Sequence, residues 1–183
     1  MDFKLFLLWI FVTTISCREF ELESFTPSAN TDPNLIDYGT VRVKKINRNQ
    51  FALTGNFELK KNIGNEKQVR LDGVKLIFTF VIFDSQIVFE IFLPSGDLLI
   101  RNKQPMCDFT KKDTLVWPDL IDASNLPKNR PCPFPKGNYT IDNFVINDSK
   151  FGPLPYGKFL VKGKLLEDGK TLTHIDIVAW LKR

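Results

Sequence analysis

Alternation of apolar and polar positions dominates this sequence and predicts β-strands. One segment places four apolar residues on a single face: Phe51, Leu53, Phe57 and Leu59. Because successive side chains of a strand point to opposite faces, this spacing is typical of a half-buried strand. The segment 41–46 precedes it and is expected to pair with it.

A second segment, 76–83, is apolar on both faces and therefore predicts a central strand or one that lines a cavity. A turn is expected at Pro94–Asp97, where proline and glycine lie close together. Other alternating segments predict the remaining strands: 87–93, 98–100, 139–146, 159–166 and 174–181.

Three features interrupt the alternation. Pro118 suits a first helical turn, so a short helix is expected over 118–123, ending before Leu126-Pro127. The strand at 139–146 needs an offset of one residue, which predicts a β-bulge near Asp142-Asn143. Asp168-Gly169 predicts a tight hairpin between the last two strands.

Together these elements predict an all-β fold, an immunoglobulin-like antiparallel β-sandwich of about seven to nine strands with one short helical insertion. The 183 residues and the 43% apolar composition are ordinary for one globular domain, which we place at 18–183. We find neither an internal repeat nor a linker.

Residues 1–17 have the three parts of a secretory signal peptide. Lys4 precedes an apolar run over 5–12, and small residues follow up to Cys17. The run is too short to span a bilayer, although a buried strand or an N-terminal anchor is an alternative interpretation. The apolar stretch 74–93 contains Lys75, Asp84, Gln86 and Glu90, so we do not expect it to span a membrane. We predict a secreted, extracellular protein.

Secretion changes the interpretation of the cysteines and asparagines. With Cys17 removed, Cys107 and Cys132 remain, and in an oxidising compartment they are expected to form a disulfide. A free thiol or an intermolecular bridge is the alternative. Two sequons begin at Asn138 and Asn147 and predict N-glycosylation. Asn138 should face solvent if Tyr139 lies on the inner face of its strand.

Charge and composition narrow the function. The net charge is +4, and the lysines are scattered, so we expect no nucleic-acid partner. The 17 phenylalanines against 3 tyrosines are unusual. A phenylalanine ring has no polar group, so this many rings predict either a thick core or an apolar cavity.

Candidate catalytic chemistry is sparse. His174 is the one histidine, and although Asp176 shares its strand face, no nucleophile motif flanks it. One histidine and a bridged cysteine pair do not suit a zinc site. A pair of carboxylates could still meet in space. We predict a protein that is not an enzyme and that needs no metal and no cofactor.

The run from Cys132 to Tyr139, Cys-Pro-Phe-Pro-Lys-Gly-Asn-Tyr, resembles the Cys-Pro-x-x-x-Gly-x-Tyr motif of ML-type lipid-recognition domains. The order of motifs at 46–57, 107–109, 125–127 and 132–133 is more similar to secreted insect proteins of the chemosensory B type. This resemblance covers roughly 38–182. In contrast to many ML-type carriers, the last strand holds no cysteine.

The resemblance implies a cup-shaped sandwich that binds small apolar ligands such as lipids, fatty acids or hydrocarbons, with a chemosensory role and a membrane receptor as further implications. Seven aromatic residues are candidates for the cavity wall: Phe57, Phe78, Phe80, Phe89, Phe92, Trp117 and Phe144. Plain core packing is the alternative for each of them. The alternative function is an extracellular protein-interaction module with a solid core, which would use the loop 151–156.

Overall fold

Two antiparallel sheets packed as a sandwich form the fold of this protein. The computed structural model describes residues 19–48, 50–64, 67–68, 81–82, 85–147, 150 and 154–182. The segment 1–17, which was predicted to be a signal peptide, lies outside the described residues. So does most of the segment 76–83, including Phe78 and Phe80. The all-β prediction is confirmed.

The described part of the chain contains eleven strands, of which three are only two residues long. In chain order they are β1 (Glu19–Pro27), β2 (Ile36–Asp37), β3 (Arg42–Asn47), β4 (Gln50–Leu59), β5 (Lys67–Gln68), β6 (Val81–Ile82), β7 (Ser85–Phe92), β8 (Leu98–Pro105), β9 (Gly137–Phe144), β10 (Gly157–Glu167) and β11 (Lys170–Lys182). The short strands account for the excess over the predicted seven to nine.

Sheet A has five strands in the order β1-β11-β10-β7-β8. Its β10–β11 hairpin closes where Glu167 pairs with Lys170. The two residues between them, Asp168 and Gly169, have φ angles of 49° and 74°. Positive φ at both central positions is what a type I′ turn requires, so the predicted Asp-Gly hairpin is confirmed.

Sheet B places β4 between β9 on one side and β2 and β3 on the other. In its β4–β9 pair, Leu53 faces Phe144 while Gly55 faces Ile141. One residue of β4 therefore lies opposite two residues of β9, Asp142 and Asn143. This is the bulge that the offset predicted, and Asn143 adopts a φ of 53° there.

The insertion between the sheets holds two short helices, α1 (Met106–Lys112) and α2 (Trp117–Asp122). The expectation of one helical insertion was therefore incomplete, although α2 lies one residue from the predicted helix. The Asp113 carboxylate explains the break, because it accepts hydrogen bonds from the backbone N–H groups of Val116 and Trp117 at 2.9 and 2.6 Å. None of the helices in the described ranges is long and apolar enough to cross a membrane.

Burial follows the predicted faces in most places. On β9, Tyr139 and Ile141 are buried while Asn138 and Thr140 are exposed. Ala52 on β4 differs, because it is fully buried on the face that was expected to be polar. The main core lies between the sheets and under the helices, and its buried members are Leu35, Leu59, Ile63, Met106, Phe109, Trp117, Ile121, Leu126, Phe134, Tyr139 and Leu165.

Candidate functional site

Six aromatic rings form a continuous series that connects the two sheets. In contact order the aromatic series is Phe89, Phe109, Trp117, Phe134, Tyr139 and Phe57. It starts on β7 of sheet A, crosses both helices and the loop before β9, and ends on β4 of sheet B. Neighbouring ring centroids lie between 5.1 and 5.8 Å apart, within the range of favourable aromatic pairs.

The middle of this series contains a buried hydrogen-bond donor. Trp117 is only 7% exposed, and it contacts Phe109 and Phe134 edge-on at 5.5 and 5.8 Å. Among the described residues, no acceptor lies within hydrogen-bond distance of its indole Nε1. A buried donor without a partner costs about 1–3 kcal/mol. The interior therefore offers apolar surface together with one polar group that an oxygen atom could satisfy.

The structure divides the seven predicted wall residues. Phe57, Phe89 and Trp117 belong to the aromatic series. Phe144 is buried opposite Leu53 in sheet B but is not one of the six rings. Phe78 and Phe80 lie outside the described residues.

Phe92 lies on the other side of sheet A. Phe89 contacts Phe109 in the core, whereas the ring of Phe92 lies 5.8 Å from the Lys162 ammonium nitrogen on the outer face. An odd separation of three positions along one strand places two side chains on opposite faces. The parity of the sequence alone could have separated these two residues.

Three rings of the series were not among the predicted wall residues: Phe109, Phe134 and Tyr139. Their positions carry a sequence signal, because Phe109 and Phe134 each follow a cysteine by two residues. Cys107 and Cys132 form a disulfide with a Cα–Cα distance of 5.6 Å. The bridge therefore holds α1 close to the loop before β9, with Trp117 in contact with both phenylalanine rings.

The outer face of sheet A carries ion pairs. Glu90 on β7 is 8% exposed; it accepts a hydrogen bond from the Lys164 ammonium at 2.6 Å and lies 3.4 Å from Arg101 Nε. The hydrogen bond from Lys164 lowers the pKa of the Glu90 carboxyl, which burial alone would raise. The carboxylate is therefore held in its charged form.

The other predicted positions are distributed over the surface. Asn138 is exposed on β9, and Asn147 is exposed in the loop that follows this strand. His174 is half-buried on β11 opposite Lys164. Within the described ranges, no group of three or more potential metal ligands lies close together. In the loop proposed for protein recognition, Tyr156 is exposed and Leu154 is half-buried, while Phe151 lies outside the described residues.

Part of the chain is similar to a known protein family. Residues 87–161 match a family described as proteins of unknown function, DUF1091. The matched span includes both helices, the disulfide and every ring of the aromatic series except Phe57. No curated protein is similar to the chain at the level required for a match.

Proposed function

We propose that this chain is a secreted, non-enzymatic binder of small apolar ligands, held between the two sheets against the aromatic series. The proposal includes the finer assignment to the ML-type lipid-recognition clan, which rests on the resemblance of the motifs. The similarity to insect chemosensory B-type proteins extends it to presentation of such ligands to a membrane receptor. The matched family is described as having no known function, so the match does not bear on this proposal.

The observation that carries the proposal is the buried indole N–H of Trp117. An apolar interior is needed for folding in any case, so rings alone do not distinguish a core from a binding site. A donor without a described acceptor in the middle of those rings is different, because a ligand oxygen would remove the cost of leaving it unpaired. The ligand we favour is therefore an oxygen-containing lipid such as a fatty acid, ahead of a plain hydrocarbon.

The first experiment is native mass spectrometry of the protein secreted from insect cells, followed by organic extraction and identification of the extract. A discrete added mass that is released as a fatty acid or another lipid would support a carrier. Repeatedly empty protein that also fails to bind fluorescent fatty-acid probes would contradict the proposal.

A variant then tests the donor. Trp117→Phe keeps an aromatic ring and removes the N–H. We therefore expect dodecanoate to bind to the interior site about tenfold more weakly, while the affinity for dodecane is unchanged. Trp180→Phe makes the same substitution at a half-buried position on the outer face of β11 and serves as the control. Equal loss for dodecanoate and dodecane would show that the ring, and not the N–H, matters.

A protein-interaction module is the second candidate function, and one observation favours it. Among the described strands, β8 lies at the edge of sheet A, and it exposes three consecutive apolar residues, Leu98, Leu99 and Ile100. Unpaired apolar edges of this kind add strands from other chains. Empty protein in the mass-spectrometric experiment would favour this candidate over the carrier.

A further inference from the structure

The outer face of sheet A is organised in straight rows that cross its strands. One row consists of four charged residues of alternating sign, Asp176, Lys162, Glu90 and Arg101, which are direct cross-strand neighbours. We call this the charged row. Opposite charges in such neighbouring positions stabilise a sheet.

The next row along the strands is apolar on four of the five strands, and it ends at Ser24 on β1. Val178 pairs with Leu160, Leu160 with Phe92, and Phe92 with Leu98. These four residues form what we call the apolar strip. With strands about 4.8 Å apart, the strip is about 14 Å long. The charged row lies about 6.7 Å away on one side, and Trp180 and Lys158 lie beside it on the other.

A surface depression lies on this strip. Its volume is about 360 Å³, at the small end of the range for ligand sites, and Phe92, Leu160 and Val178 line it together with the turn after β7. The two ionisable side chains that line it are both lysines, Lys158 and Lys162.

The two lysines differ in their distance from the nearest carboxylate with which each forms an ion pair. Lys158 is 2.8 Å from a Glu23 carboxylate oxygen, whereas Lys162 is 4.0 Å from Asp176, at the limit of an ion pair. The Lys162 ammonium also lies over the ring of Phe92. Lys162 lies two residues from Leu160 on the same face of β10, so its ammonium is placed to meet the anionic head group of a ligand whose chain runs from Leu160 over Phe92 to Leu98.

We propose that the apolar strip is a second binding site, which takes one linear alkyl chain with an anionic head group at Lys162. The width of the strip selects this occupant. A stable protein partner covers roughly 800 Å² on each side, so it would have to bury the charged row as well. A single alkyl chain needs only the apolar row, and its negative carboxylate is complementary to the positive charges of the two lining lysines.

The test uses spin-labelled dodecanoate and protein with ¹³C-labelled methyl groups of leucine and valine. We expect paramagnetic broadening of the methyl signals of Leu98, Leu160 and Val178. Leu59 and Leu165 in the core report separately on the interior site of the proposed function. If the outer methyl signals keep their intensity at saturating ligand, the second site is wrong, whatever the core signals do.

Two variants on one strand provide a matched comparison. Leu98 and Ile100 are 50% and 45% exposed on β8. The β7–β8 register shifts between them, so Leu98 pairs with Phe92 on the outer face, whereas Ile100 pairs with Ile91 on the inner face. We expect Leu98→Gln to weaken outer-site binding several-fold and Leu160→Gln about tenfold, while Ile100→Gln leaves it unchanged. Equal effects of the two β8 variants would overturn the assignment to the strip.

The head group is tested with a change of charge. Lys162→Gln should weaken outer-site binding of dodecanoate several-fold but leave that of dodecanol unchanged, because only the carboxylate needs the ammonium. Lys103→Gln, at an exposed position of β8 beside the charged row, is the control. If Lys162→Gln changes both ligands alike, or if dodecyltrimethylammonium binds as well as dodecanoate, the anionic head group is wrong.

Discussion

Strands β7 and β10 carry large apolar side chains on both faces, and these side chains differ in their exposure to solvent. On the inner face, Phe89 contacts Phe109 and Phe159 is buried. On the outer face, Phe92 and Leu160 remain half-exposed beside the ion pairs of Glu90. Phe89 packs against another ring, whereas Phe92 and Leu160 keep part of their surface open to solvent.

This difference teaches how one hydrophobic residue type can serve both folding and recognition. An apolar residue in the core contributes to stability because its loss leaves a cavity. The same residue on an open face contributes little to stability, and its apolar surface stays available to a ligand. The face on which an apolar residue lies, and not its type, therefore decides how much its loss destabilises the fold.

The largest expected effect compares the two faces directly. Phe109→Ala removes the ring between Phe89 and Trp117 and should lower the free energy of unfolding by about 3–5 kcal/mol. Phe92→Ala on the outer face should lower it by only about 1 kcal/mol. Urea unfolding of both variants and of the wild type measures the difference.

Circular dichroism of the folded state serves as the control for this pair, since both variants must retain the β-sheet signal for the comparison to hold. If Phe109→Ala is so unstable that it does not fold, Phe109→Leu gives a smaller change in the same direction. Equal losses at the two positions would mean that the outer face is packed as tightly as the core.

The sequence predicts local features of this fold well, because each depends on neighbouring residues. The hairpin at Asp168-Gly169 needs positive φ at two adjacent positions, and this dipeptide is well suited to them. The bulge in β9 follows from a shift in alternation within one strand. Helix α2 is marked by Pro118 at its start.

Features that depend on distant residues were not predictable in the same way. The alternation indicated only 98–100 for β8, although the strand continues to Pro105, because the rest of this edge strand is polar. Helix α1 has no apolar repeat long enough to stand out. The aromatic series joins residues from 57 to 139, and only the fold and the disulfide bring these rings together.

The second prediction tests the polar component of the outer face. Glu90→Gln keeps the shape of the side chain but removes the negative charge that Lys164 and Arg101 approach. We expect a loss of about 1–3 kcal/mol in the free energy of unfolding at pH 7, because Glu90 is buried. Glu167→Gln is the matched control, since its ion pair with Lys61 is 40% exposed on both sides and should contribute less than about 1 kcal/mol.

The pH dependence of the Glu90 variant has a defined sign. Because the pKa of Glu90 is lowered from 4.5 in the folded state, its charged form stabilises the fold fully above that value. This contribution is lost as the pH falls below 4.5 towards the folded pKa. The stability difference between the wild type and Glu90→Gln should therefore shrink between pH 5 and pH 3. Parallel stability curves over that interval would contradict the role of the Lys164 hydrogen bond.

The smallest expected effect separates ring contacts from polar contacts within the inner face. The Tyr139 hydroxyl donates a hydrogen bond of 2.6 Å to the Pro135 carbonyl, and its ring contacts Phe57 and Phe134. Tyr139→Phe keeps the ring and should cost about 1 kcal/mol of unfolding free energy, whereas Tyr139→Leu should cost more.

Burial raises the pKa of the Tyr139 hydroxyl above 10.0, so the unfolded chain ionises first and the wild type loses stability as the pH rises past 10. The phenylalanine variant lacks this contribution, and urea unfolding at pH 7 and pH 10.5 should show the wild type losing its advantage. If the leucine variant is as stable as the phenylalanine variant, the aromatic series does not depend on ring contacts at Tyr139.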